Sequence, residues 1–403
     1  MNRSRRIWLQ NALASAALLS FGTAARAQSA SLSFSQWVTW FKERALARGI
    51  SARTYDSVMG GLKPDISVYA LQSAQPEFQE QTWQYLNRRV SDWRITTGRE
   101  MAKQHASLLA HVERTYGVDR YVLLALWGVE SAYGDPVVQQ KYMRPVFPAL
   151  AALAWGEPRR RAYWEKELLN ALVIVERGWS TPAQMRGSWA GAMGHTQWMP
   201  EVWLNMGVDF DHDGRISPFG NPADALAGTA RYLLERGKYR RGEPWGYEVE
   251  GKASGKARTY AAWRAHGVRR ADGKAFDHPH ASARPWTPVP GGPSFLLGPN
   301  FFSVRSYNPS MNYALAIAHL ADRIRGGGPF VHPFPGSERT PTLAELKELQ
   351  QRLTRSGFDT GGVDGRVGSD TMRAVRAYQE KIGMDPADGY AGLKVLARLR
   401  QRS

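Results

Sequence analysis

The chain has 403 residues, a net charge of +17 and no cysteine. That excludes disulfides, thiolate metal sites, a cysteine nucleophile and a lipid-modified N-terminal cysteine, so an exported form must rely on its core for stability. The length allows a catalytic domain plus a smaller module, and the 15 Trp and 16 Tyr suit both sugar stacking and ordinary cores.

The first segment reads as a leader. Arg3, Arg5 and Arg6 form a basic start, Ile7 to Phe21 is mostly apolar, and Ala25-Arg-Ala27 offers a small-x-small cleavage site. Gln10, Asn11 and the serines make the apolar run too short for a membrane anchor. Ser4-Arg-Arg-Ile-Trp-Leu9 has the pattern of a twin-arginine signal, with general secretion as the alternative. Loss of residues 1–27 removes four arginines and no acid, leaving +13. The expectation is a soluble, exported, periplasmic protein, read as a monomer, whose basic charge suits an anionic partner: a cell-wall polymer, a membrane surface or nucleic acid. Dispersed basic residues and export argue against nucleic acid.

From Trp37 to about Tyr239 the pattern predicts helix nearly throughout. Trp37–Phe41, Phe78–Leu86, Leu108–Val112 and Leu168–Val175 carry apolar residues at helical spacing. The run Tyr121–Val129 leads into Glu130, with Trp127 one turn before it, Tyr133 one turn after it, and Gly134-Asp135 as the stop. An aromatic, poorly hydrated helix end disfavours an ionised carboxyl, which suits a general acid; a solvated helix-terminal carboxylate is the alternative, and by itself this stretch favours it. In Gly187–Pro200, small residues (Gly187, Ala190, Gly191, Gly194) alternate with large ones. That spacing lets backbone approach backbone or ligand, leaving Ser188, Gln197 and Trp198 toward a groove; tight helix packing is the alternative.

Asp209-Phe-Asp-His-Asp-Gly214-Arg-Ile216 matches the front half of an EF-hand loop. Asp209, Asp211 and Asp213 offer carboxylates and Arg215 stands at the carbonyl position. Gly220 occupies the twelfth position, so Asp224 or Asn221 is left to close the cage. The expected ion is a structural calcium, with a metal-free Asp-rich turn as the alternative; catalysis is expected to need no cofactor. His212 is expected to be exposed, and Arg236–Arg241 to be a solvated surface.

Between Trp245 and Phe302 Gly and Pro become dense, which predicts a small β-containing insert, and helix returns from Asn312 to Ile324 with Tyr313, Ala316, Ile317 and Leu320 on one face. Residues 326–340 read as a Gly/Pro linker. Helices over Leu343–Leu353 and Thr371–Ile382, and a short one ending near Arg400, then make a small three-helix unit.

Trp127-Gly-Val-Glu-Ser-Ala-Tyr-Gly134 followed by Gly191-Ala-Met-Gly-x-x-Gln-x-Met-Pro200 closely resembles the B-type membrane-bound lytic murein transglycosylases. Gln75-Pro-Glu-Phe78, Arg159-Arg160, Glu167-Leu168, Trp245-Gly-Tyr247, Gly267–Asp272 and Tyr307-Asn-x-Ser310 stand in the family's order. The resemblance implies a mainly α, lysozyme-like catalytic domain over 28–325. It also implies cleavage of the β-1,4 bond between N-acetylmuramic acid and N-acetylglucosamine of peptidoglycan glycan strands. The family's catalytic acid falls on Glu130, and its groove residues on Arg159, Arg160, Tyr163, Ser188, Gln197, Tyr232, Tyr307, Asn308 and Tyr313. Its modified calcium loop has an acid best matched by Asp224. His195, Thr196 and Trp198 depart from the common pattern. The C-terminal unit, 341–403, resembles a peptidoglycan-binding domain through Leu349-Gln-x-x-Leu353, Val363-Asp-Gly-Arg-Val-Gly368 and Tyr378-Gln379. The alternatives are a muramidase that uses water, for which Asp135 and Glu201 are second-carboxylate candidates, and a catalytically silent wall-binding scaffold. Partners in wall synthesis or division are not identified by the sequence.

Overall fold

The computed structural model describes residues 32–73 and 80–401. The leader and the Gln75–Phe78 motif lie outside the described residues. Contact density divides the chain into two units, one drawn from residues 1–74 and 137–220 and the other from 75–136 and 221–403.

In chain order, α1 (Phe34–Ala47), α2 (Ala52–Met59) and α3 (Val68–Ser73) belong to the first unit, and α4 (Thr82–Arg89), α5 (Asp92–Gln104), α6 (Ala106–Tyr116) and α7 (Arg120–Ser131) to the second. The first unit resumes with α8 (Pro136–Tyr142), β1 (Arg144–Pro145), α9 (Val146–Gly156), α10 (Arg161–Glu176), β2 (Arg186–Gly187) and α11 (Pro200–Met206). Ser33 and Gln36 form a capping box at the start of α1, which satisfies amides the first helical turn leaves unpaired. α9 is apolar all round and its residues 149–154 are fully buried, so it packs centrally, against α10. Trp37 stacks on Phe41 at 4.8 Å between ring centres in the same core.

The second unit continues with α12 (Ala223–Glu235). An insert follows, comprising β3 (Gly246–Glu250), β4 (Arg258–Thr259), α13 (Tyr260–Ala265), β5 (Arg269–Arg270), β6 (Ser282–Trp286) and β7 (Ser294–Leu297). Its strands form one antiparallel sheet in the order β4-β6-β7-β3-β5, with Tyr247 opposite Leu296. Val249, Tyr260, Trp263, Val268 and Leu296 give the insert its own small core. The predicted β texture is present. The insert also holds a helical turn, α13, where the Thr259 hydroxyl accepts the Ala262 N–H.

α14 (Pro299–Tyr307) and α15 (Met311–Arg325) complete the helical body of the second unit. α7 packs along α15, and Val122–Val129 and Tyr313–Ala321 are buried without interruption. α15 is thus covered on all sides, not on one face only, because Ala314, Ala316, Ala318 and Ala321 let neighbours approach closely. Among the described residues no helix is long and apolar enough to cross a membrane.

The C-terminal helices α16 (Leu343–Arg355), α17 (Ser369–Lys381) and α18 (Leu393–Gln401) enclose a core of Leu346, Leu349, Leu353, Val375, Tyr378, Leu396 and Leu399. Two buried glutamines repeat one device there. Gln350 donates to Asp364 (3.0 Å) and accepts from the Gly365 amide (2.7 Å). Gln379 does the same with Asp388 (3.0 Å) and Gly389 (2.7 Å). Each carboxamide thereby fixes an Asp-Gly turn that has no regular ladder to hold it.

Candidate active site

Glu130 occupies the last turn of α7 and is half-buried. The helix does not run to Gly134 before it stops. Ala132 (φ 54°) and Tyr133 (φ 62°) are already left-handed, followed by Gly134 (φ 75°). Two non-glycine residues in that region cost about 1–2 kcal/mol each, so the turn exists only because its surroundings hold it. Tyr133 supplies the hold: its ring sits 5.8 Å edge-on to Trp127, and its hydroxyl donates to the Arg94 carbonyl at 2.7 Å. The ring fills the space left by two glycines. A Cβ at Gly128 would lie 2.4 Å from Tyr133 Cζ, and one at Gly98 2.5 Å from its hydroxyl. Ser131 Oγ accepts the Gly134 amide at 3.0 Å.

Tyr313, in the first turn of α15, donates its hydroxyl to Glu130 Oε1. The position is set locally: Asn308 Oδ1 accepts the Ser310 amide (3.1 Å), and Ser310 Oγ caps α15 by accepting the Tyr313 amide (3.3 Å). Burial, with the Glu130 charge next, raises the Tyr313 pKa far above its ordinary value, so the phenol remains a donor. Tyr232 and Tyr307 meet edge-on at 5.1 Å, with the Tyr232 hydroxyl donating to the Ser306 carbonyl (2.9 Å). The second unit thus holds Glu130, Tyr232, Tyr307, Asn308 and Tyr313, the last in direct contact with Glu130.

The other groove residues named from the sequence, Arg159, Arg160, Tyr163, Ser188 and Gln197, lie in the first unit. Glu157 accepts the amides of Arg159 (3.1 Å) and Arg160 (2.7 Å), which turns the chain into α10. Arg160 lies 4.4 Å over the Tyr163 ring and 5.0 Å over Trp164. Residues 187–199 are not helical, and α11 starts only at Pro200: Gly187 and Trp198 both bridge to Met193. Gly191 (φ 83°), Gly194 (φ 73°) and Gln197 (φ 55°) are left-handed, which no helix admits. The close backbone approach is real at Gly194, where a Cβ would fall 2.2 Å from the Pro218 carbonyl oxygen. Ser188 Oγ accepts the Ala190 (3.3 Å) and Ala192 (3.2 Å) amides, and Gln197 Nε2 donates to the Gly194 carbonyl (3.0 Å). Trp198 is fully buried, contrary to the expectation that it faces a groove, because its backbone pairing with Met193 turns the indole inward. His195 and Thr196 are buried too, and His195 Nε2 donates to the Gly220 carbonyl at 2.8 Å.

Sequence reasoning missed the chemistry of Glu167. Its carboxyl is buried on α10 and accepts the Glu201 amide at 2.9 Å. Burial, with the Glu201 carboxylate adding to it, pushes the Glu167 pKa up to about 7 from 4.5. The native state therefore binds a proton that the unfolded chain releases above about 4.5. Stability from this group is complete below that pH and is lost as pH rises through about 7. The cost of ionising it in place is about 3 kcal/mol. Glu167→Gln keeps the acceptor and removes the charge, so it is expected to be more stable than wild type at about pH 8 and not at about pH 4. Urea unfolding at both pH values checks this; parallel curves would contradict it.

Asp209, Asp211 and Asp213 bring carboxylate oxygens within 4.8 Å of one another. The Asp213 and Gly214 amides donate to Asp209 (3.1 and 3.0 Å), the Arg215 amide donates to Asp213 (2.8 Å), and Gly214 takes φ 84°. This all-oxygen set with a glycine at the sharp turn fits a hard divalent cation. His212 is exposed, as expected. Asp224 lies buried in the first turn of α12, within the second unit.

The described helices and sheet agree with comparisons to known proteins. The transglycosylase SLT domain family matches residues 33–322, and the putative peptidoglycan binding domain family matches residues 342–399. Membrane-bound lytic murein transglycosylase B of Escherichia coli (strain K12) is 26% identical over 245 residues, which is 60% of this chain and 66% of that protein. SltB3 from Pseudomonas aeruginosa, solved in complex with NAG-NAM-pentapeptide, superposes with a TM-score of 0.71 at 38% identity, covering 92% of this chain and 100% of that one. Escherichia coli lytic transglycosylase Slt35, solved in complex with calcium, gives 0.61 at 26% identity, covering 72% and 92%. By the span and agreement of these matches the chain belongs to the SLT transglycosylase family, as a lytic transglycosylase with a C-terminal peptidoglycan-binding domain.

Proposed function

We propose that this lytic transglycosylase cleaves the N-acetylmuramic acid–β-1,4–N-acetylglucosamine bond with Glu130 as acid and then base. The observation that carries the reading is the single carboxyl at the end of α7, held by the Tyr313 hydroxyl behind a strained turn. Glu130 protonates the glycosidic oxygen while the C1–O bond breaks and positive charge develops on the muramic ring, helped by the 2-acetamido group. The resulting carboxylate removes the proton from the muramic C6 hydroxyl as that oxygen attacks C1. The 1,6-anhydro ring closes, no water enters, and Glu130 ends protonated as it began. Ordinary glycosidases need a second carboxylate for nucleophile or base. The two candidates are otherwise engaged: Asp135 pairs with Arg366, and the Glu201 carboxylate accepts from the Asn205 side chain (2.7 Å).

Tyr232, Tyr307, Asn308 and Tyr313 are assigned substrate binding, as are Arg159, Arg160, Tyr163, Ser188 and Gln197. The Arg160 guanidinium over the Tyr163 ring suits a stem-peptide carboxylate, and the ring suits a pyranose face. SltB3 has also been solved with NAG-anhNAM-pentapeptide, which supports an anhydro product. The chain comprises a leader (1–27), a catalytic region (28–325), a linker (326–340) and a wall-binding module (341–403), and it is exported to the periplasm. Mass spectrometry of the soluble products from purified peptidoglycan tests the reaction: muropeptides one water lighter than hydrolysis products are expected. Hydrated products would make the enzyme a muramidase.

Calcium is assigned a structural role in the 209–215 loop, held by the three aspartates and the Arg215 carbonyl. At a hundredfold excess over its Kd a ligand of the native state adds about 2.7 kcal/mol. Calcium is therefore expected to raise the unfolding temperature by a few degrees in wild type and not in Asp211→Asn. Equal melting with calcium and with chelator would remove the ion from the account.

A further inference from the structure

The C-terminal module is anchored to the catalytic region at two places within the second unit. At the first, Gln84 donates to Asp388 (2.6 Å), and Asn87 donates to the Tyr390 hydroxyl (2.8 Å). Trp83 meets Tyr390 edge-on at 4.8 Å. These contacts fix one side of α4, while Thr82 on the same helix donates to Asn312 of α15 at 3.1 Å. At the second place, Arg366 leaves the Asp-Gly turn that Gln350 holds. Its guanidinium lies 4.1 Å over the Trp93 ring and ion-pairs with Asp135.

The target of that second anchor is informative. Asp135 directly follows Ala132, Tyr133 and Gly134, the left-handed turn that ends the Glu130 helix. Trp93, the other surface Arg366 touches, lies 6.2 Å from the Tyr133 ring. A domain that served only to raise local substrate concentration would be indifferent to where Glu130 points. This one grips the strained segment from outside, pairing with the residue after it and covering the aromatic beside it. A guanidinium stacked on an indole with a carboxylate in reach is a geometry arginine holds and lysine does not.

We infer that Arg366 is a positioning residue: through Asp135 and Trp93, the peptidoglycan-binding module clamps the turn behind Glu130 and so forms part of the catalytic apparatus. This rests on the reading of Glu130 as the acid, since small displacements of a catalytic group cost rate without costing binding.

The experiment uses full-length Arg366→Ala, Arg366→Lys and Asp135→Asn, with Arg373→Ala as an exposed-cation control on α17. Three readouts are taken: kcat and KM on soluble glycan strands, co-sedimentation with insoluble sacculi, and amide hydrogen exchange across residues 131–135. Arg366→Ala is expected to lower kcat about tenfold with KM and sacculus binding unchanged, and to speed exchange across 131–135. Asp135→Asn should match it, the double variant should be no worse than either single, Arg366→Lys should recover only part, and Arg373→Ala should behave as wild type. Wild-type kcat and exchange in folded Arg366→Ala overturn the inference, as does lost sacculus binding with kcat intact, the signature of a tether. If Arg366→Ala does not fold, the near-isosteric Asp135→Asn decides by the same criteria. Near-wild-type activity in Glu130→Gln would strike the Glu130 reading alone; faster exchange across 131–135 in Arg366→Ala would still support the clamp.

Discussion

Glu130→Gln is expected to lose about 10² to 10⁴-fold in kcat on purified peptidoglycan, the worth of a positioned general acid–base. The amide matches the carboxyl in volume and still offers an oxygen to the Tyr313 hydroxyl, so the turn and the fold should persist. What disappears is the proton, needed at the glycosidic oxygen and again, in the reverse sense, at the C6 hydroxyl. Because one residue serves both steps, no partial rescue by a second carboxylate is expected. Rates of muropeptide release, with thermal unfolding as control, check this. A variant that kept a tenth or more of the wild-type rate would remove Glu130 from the chemistry.

Gly128→Ala is expected to be damaging for a reason opposite to ordinary helix propensity. In an exposed helix the change stabilises by about 1 kcal/mol. Here the new Cβ falls 2.4 Å from Tyr133 Cζ and 2.5 Å from its hydroxyl, on a ring that neighbouring Gly98 also leaves no room to shift. The tyrosine must leave its place and give up the bond to the Arg94 carbonyl, and the left-handed turn loses its wedge. Overpacking of this kind costs about 1–3 kcal/mol. With Glu130 two residues away, kcat is expected to fall by about 10²-fold. Urea unfolding and kcat on soluble strands measure the two effects separately. A variant as stable and as active as wild type would show that Tyr133 does not hold the turn.

These effects indicate which parts of the molecule are legible in the sequence. The long apolar run of α7 with a lone glutamate at its end, the acidic loop, the Gly/Pro break and the three C-terminal helices are local patterns, and the chain folds them close to where they are read. α15 runs Met311–Arg325 and α16 Leu343–Arg355, within two residues of expectation. What local pattern does not carry is pairing across distance. Tyr313 and Glu130 are 183 residues apart and Arg366 and Asp135 are 231 apart, so no spacing rule links them. The Gly187–Pro200 segment fails for another reason. Alternating small and large residues fit a packed helix or a tight loop equally well, and the choice is made by positive φ at Gly191, Gly194 and Gln197. That choice buries Trp198. At the end of α7, Gly134 is the obvious stop by composition, yet Ala132 and Tyr133 turn first because the Tyr133 ring has two glycines to fill.

The central claim is that the muramic C6 hydroxyl, and not water, closes the reaction that Glu130 opens. Digestion of purified peptidoglycan in water enriched in heavy oxygen tests it most directly. The account predicts wild-type products that are one water lighter than hydrolysis products and carry no label at the muramic C1, and no products above background from Glu130→Gln. Label at that carbon would contradict it, since oxygen from solvent could arrive there only by hydrolysis.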